Sequence, residues 1–189
     1  MDDIQPTGRF KDQAPLAARV LFFAGRRDAA TKWYRLLADA PFKDIEQEDD
    51  LALLAWIAGG AEHGWTDARL RRWLARHAAG TRGRAVAGAA FAVADAFGVT
   101  PGPRKIWMAA VDETARLSAA GARWYAIQQA AENRQLGEAL VRLQVTLGET
   151  PLAQAPPNDL RQTIRVLRRL KLDAEARRLA LQILLAKGL

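Results

Sequence analysis

Residues 14–41 read APLAARVLFFAGRRDAATKWYRLLADAP, two apolar-rich stretches parted by Gly25-Arg26-Arg27 and closed by Pro41. Alanine and leucine favour helix, glycine ends one at little steric cost, and proline lacks the N–H that a helix interior needs. The stretch therefore predicts one helix from about Ala14 to Ala24 and a second from Asp28 to Ala40. The same rhythm returns further along the chain. A second pair is expected over about 49–61 and 67–79, split at His63-Gly-Trp-Thr with Thr66 as N-cap. A third spans 84–97 and 103–118 across Gly98-Val-Thr-Pro-Gly-Pro, the strongest breaker in the chain. A fourth spans 122–133 and 135–147, with the weakest inner break, and a fifth spans 158–170 and 173–187. Starts near 14, 49, 84, 122 and 158 are spaced by about 36 residues, within the range of two-helix solenoid repeats. The expectation is an all-α stack of about five helix–turn–helix pairs, an α-solenoid or helical bundle. It forms a single helical repeat domain over 1–189, with 1–80 and 81–189 as the alternative subdivision.

Periodicity supports the helices one by one. In the last of them Ala176, Leu179, Ala180, Ile183 and Leu184 follow the i, i+3, i+4, i+7, i+8 spacing of a buried stripe. Its partner sets Leu160, Ile164 and Leu167 against Arg161, Arg165 and Arg168. Helix 67–79 sets Leu70, Trp73 and Leu74 against Arg69, Arg72 and Arg76. Residues 85–97 differ, because small apolar side chains cover most of the circumference, the pattern of a helix buried on all sides.

On these residues the first pair resembles a tetratricopeptide repeat. Gly25 stands at the turn-side glycine, Ala30 at the small packing residue five positions later, Tyr34 at the aromatic, and Pro41 near the terminating proline. The fifth pair shares the cadence through Ala176 and Ala180, without the glycine or the proline. Units two to four place Trp and Gly elsewhere, so the resemblance is to a divergent helical repeat. It implies protein–protein interaction, since such stacks present a concave surface built from their first helices and carry no chemistry of their own.

The 189 residues contain no cysteine, which removes disulfides, zinc–thiolate sites, iron–sulfur clusters and a catalytic thiol together. His63 and His77, the two histidines, lie too far apart in sequence to form a local chelating pair, and no HExxH, Gly-rich phosphate loop or GxSxG elbow occurs. Neither a cofactor nor an enzymatic activity is expected. No apolar run reaches the roughly 20 residues of a membrane span. The start, Met1-Asp-Asp-Ile, lacks the basic and apolar regions of a signal peptide, which leaves cytoplasm and periplasm both open.

Charge is uneven. Residues 1–64 hold 8 Lys+Arg against 11 Asp+Glu, and residues 65–189 hold 20 against 10, for a net +7. The basic part suits an acidic peptide or protein, through Trp65, Arg69, Arg72 and Arg76, Trp124 and Tyr125, and Arg161, Arg165 and Arg168. The same arginines, with Arg82, Arg84 and Arg169, are the candidates for nucleic-acid phosphate. Trp33, Trp56, Trp73, Trp107 and Trp124 read as fillers between helices. Leu181, Leu185 and Leu189 lie on a second side of the last helix, where self-association to a homo-oligomer would cover them. The sequence thus points to a non-catalytic interaction or scaffolding module of a larger bacterial protein. The alternatives are a nucleic-acid-binding helical protein and a silent helical domain of a cell-wall enzyme, by analogy with the helical-pair domains of soluble lytic transglycosylases.

Overall fold

The computed structural model describes residues 8–38, 45–59, 66–77, 80–98, 121–148 and 150–189. Among them are nine α-helices and no strand: α1 Ala14–Phe23, α2 Arg27–Ala38, α3 Ile45–Ile57, α4 Asp67–His77, α5 Gly80–Ala96, α6 Gly121–Glu132, α7 Leu136–Leu147, α8 Pro157–Arg169 and α9 Asp173–Lys187. A 3-10 turn, Gly8–Gln13, leads into α1. Thr66 caps α4, its Oγ1 accepting the backbone N–H of Arg69 at 3.2 Å. The helix expected over 103–118 and Trp107 within it lie outside the described residues.

Three of the turns share one backbone geometry. In the α1–α2, α6–α7 and α8–α9 turns one residue takes a left-handed backbone: Gly25 (φ 74°), Arg134 (φ 58°) and Lys171 (φ 64°). In each, that residue donates its N–H three residues back and the next residue donates five back: Gly25 to Phe22 and Arg26 to Leu21, Arg134 to Ala131 and Gln135 to Ala130, Lys171 to Arg168 and Leu172 to Leu167. This is the double bond of a Schellman cap, which satisfies carbonyls at a helix end. Five residues past the left-handed one stands a fully buried alanine, Ala30, Ala139 or Ala176. Gly59 and Gly98 also have positive φ and close α3 and α5 with the first of these two bonds. The weak break at Glu132–Gln135 is therefore a true turn, and the fifth pair has Lys171 where the first has glycine.

Two compact units divide the chain, Met1–Trp73 and Leu74–Leu189. In the first, α1, α2 and α3 pack against one another. Their core holds Ala18, Leu21, Phe22, Ala30, Trp33 and Tyr34, and all of Leu51–Ala55 on α3. The start of α4 is tied to α3 by polar contacts: Arg69 to Glu48 and to Asp49 (2.9 Å), Arg72 to Asp49 (3.2 Å), and the Trp73 indole N–H to Asp50 (3.0 Å).

In the second unit α8 is central, packed by α5, α6, α7 and α9. α6 and α7 pair, α8 and α9 pair, and α6 and α7 both touch α8. α5 packs on α8 and α9, so the third pair's first helix meets the fifth pair. A stack in strict sequence order would instead set it against the fourth. The contact follows from composition: residues 86–94 are buried on every side, and their alanines let α8 come close.

Candidate interaction surface

The arginine stripe of α8 lies half-buried along the end of α5. Arg161 and Arg165 both bond Asp95 Oδ2, at 3.4 and 2.7 Å. Arg168 donates to the Ala96 carbonyl at 2.9 Å and to Asp173 at 3.3 Å. Its guanidinium lies 5.3 Å from the Phe97 ring centroid, with Arg177 5.0 Å from the same ring. Cations suit the negative end of a helix, and cation–π contact adds to that. Spaced i, i+4, i+7, the three arginines form one row alongside α5, and each side chain keeps part of its surface exposed. On α4, Arg69 and Arg72 serve α3 in the same way, and Arg76 donates Nε to His77 Nε2 at 3.1 Å.

The aromatic residues part company. Trp124 is buried and donates its indole N–H to Asp159 Oδ1 at 3.1 Å, joining α6 to α8, and Gln128 meets Gln162 one turn on at 3.2 Å. Neighbouring Tyr125 is 65% exposed. Trp33 and Trp73 are buried as expected of fillers, and Trp56 is half-buried. Trp65 and the side chain of Arg82 lie outside the described residues. The apolar surface expected on the second side of the last helix is already covered within the chain: Leu181 and Leu189 are buried and Leu185 is half-buried. The reason is local, because the chain end folds back: Leu189 donates its N–H to the Leu184 carbonyl after Gly188 turns left-handed.

Open apolar surface lies elsewhere, on α7. Ala139 and Leu143 fix this helix to the core, and yet Leu136, Leu140, Val141 and Val145 are all exposed, the last at 73%. At about 100° per residue the four cover roughly half of the circumference. Leu136 also lines a pocket of about 400 Å³ with Ala131, Arg134, Arg169, Leu170 and Lys171. The pocket sits between the α6–α7 and α8–α9 turns, so its two left-handed residues bring a cation to either side. Arg169 is paired with Glu132 at 2.9 Å. In the first unit Leu16, Val20 and Phe23 form a narrower exposed stripe on α1 at i, i+4, i+7.

Sequence reasoning passed over the α7 surface and, of the pocket cations, Arg134 and Lys171, while naming Arg169. The signal for α7 was present, since positions 136, 139, 140, 141, 143, 145 and 147 are more apolar residues than a single buried stripe needs. The pocket depends on two turns 37 residues apart, which only the packed structure brings together. Among the described residues no group of three or more His, Cys, Asp or Glu is placed to hold a metal, and no helix is long and apolar enough to cross a membrane. Comparison with protein-family models, with curated proteins and with solved structures gives no match for this chain.

Proposed function

We propose that the chain is a non-catalytic interaction module, a divergent helical repeat of tetratricopeptide-like, α-solenoid character, that binds a protein partner through the outer side of α7. The observation that carries this reading is the exposed arc Leu136, Leu140, Val141 and Val145 on a helix already anchored through Ala139 and Leu143. Four large apolar side chains exposed on one helix, set in two pairs either side of Gly137 and Gln144, are common at interaction sites and are disfavoured on a surface left in water. The shared cap geometry and the buried alanine after each of three turns support the repeat character. A nucleic-acid role draws less support, because the α4 and α8 arginines that would meet phosphate make bonds within the chain.

The test is retention from a nuclease-treated extract of the source cells, comparing the parent chain with a Val141→Gln/Val145→Gln variant. Both substitutions lie on exposed positions, so the helical circular dichroism and melting curve should be kept. A protein held by the parent and lost by the variant supports the reading. Equal retention by both contradicts it.

A further inference from the structure

We infer that the pocket between the α6–α7 and α8–α9 turns is a carboxylate subsite, and that the partner laid along α7 is an acidic amphipathic helix. The inference rests on the α7 reading and adds the chemistry of its occupant. It begins from Arg134 and Lys171, which are the left-handed residues of their turns. At the equivalent place in α1, α3 and α5 stands glycine, which takes that backbone without steric cost. Among the described residues, the two turns that flank the pocket are thus the two that hold a long cation in a conformation L side chains disfavour. Strain retained in this way points to a role for the side chain.

Pairing points in the same direction. Arg169 is neutralised by Glu132, whereas Arg134 and Lys171 have no acidic partner among the described residues and are exposed. Three cations against one carboxylate leave the pocket positive, and Ala131, Leu136 and Leu170 give it an apolar floor. A carboxylate with an adjoining apolar side chain matches both features. Because Leu136 belongs to pocket and arc alike and Leu140 stands one turn on along the same side, one ligand helix can set its acidic end at Arg134 and Lys171 and its apolar stripe on Leu136 and Leu140. A nucleic-acid strand would leave that arc uncovered, as it offers phosphates and stacking bases in place of aliphatic side chains.

The experiment uses the full chain and labelled alanine-based helical peptides bearing leucine at i, i+4 and i+7, ended by glutamates, glutamines or lysines, with binding read by fluorescence anisotropy. The glutamate peptide should bind about three- to tenfold more tightly than the glutamine peptide at about 0.1 M salt, and the lysine peptide most weakly. Arg134→Gln/Lys171→Gln should abolish that preference without changing the affinity for the glutamine peptide. Equal binding of all three peptides, still lost in Leu140→Gln, would overturn the carboxylate subsite and leave the α7 surface standing. Charge-dependent binding that survives Leu140→Gln would overturn the placement of the ligand helix along α7. Displacement of the glutamate peptide by oligothymidylate at the same two cations would assign them to phosphate instead, and failure of every peptide to bind would overturn the inference.

Discussion

Arg134 and Lys171 occupy equivalent places 37 residues apart, each the left-handed residue that closes the first helix of its pair. Glycine fills that place as Gly25, Gly59 and Gly98. Arg134→Gly and Lys171→Gly are each expected to stabilise the fold, by about 0.5–1 kcal/mol, because steric relief outweighs the added freedom of the unfolded chain. Urea denaturation checks this, and a loss of stability in either variant would contradict the shared geometry.

Ala30, Ala139 and Ala176 lie fully buried five residues after their left-handed turns. Enlarging any of them to leucine should cost about 1–3 kcal/mol, since the neighbours of a fully buried side chain must shift to admit three more carbons. Exposed Ala174 gives the control, where the same change should stay within about 0.5 kcal/mol. A set of melting curves in which the buried positions match Ala174 would refute the common register.

Asp95 holds both Arg161 and Arg165 against the end of α5 and is itself mostly shielded from water. Asp95→Asn should destabilise the second unit by about 1–2 kcal/mol, a value kept low because Arg165 is partly solvated. High salt should mimic part of the loss in the parent chain and have less effect on the variant.

Much of the helical plan was legible in the sequence, because the signals for it are local. Gly25 and Gly98 end helices through a backbone that glycine takes readily, and the alternation of Leu160, Ile164 and Leu167 with arginine follows from helix geometry alone. Lys171 shows the limit: nothing in a lysine announces a left-handed backbone, which here comes with the packing of α8 on α9. The fate of the arginines was hidden for a related reason. Arg165 reads as solvated until α5 is placed beside it, 70 residues away in the chain. The α7 arc lay between these cases, visible as a surplus of apolar positions whose direction only packing assigns.

Tyr34 is buried in the first unit, and burial raises its pKa above the ordinary value near 10, opposed in part by the charge and hydrogen bond of Arg69. The folded chain therefore holds this proton more tightly than the unfolded one. Its contribution to stability is intact below about pH 10 and is lost as pH climbs from there toward the raised folded value. Tyr34→Phe should remove this part of the alkaline loss. Denaturation midpoints at pH 8 and at successive steps above 10, for parent and variant, test the sign.

The most direct test of α7 as a docking face is site-specific photo-crosslinking in the cell of origin, with a benzophenone side chain placed at Val141 or Val145 and, for comparison, at exposed Ala174 on α9. A discrete protein adduct that forms from the α7 positions and not from Ala174 is the predicted result. Adducts that are the same from all three positions, or that form only from Ala174, would contradict it.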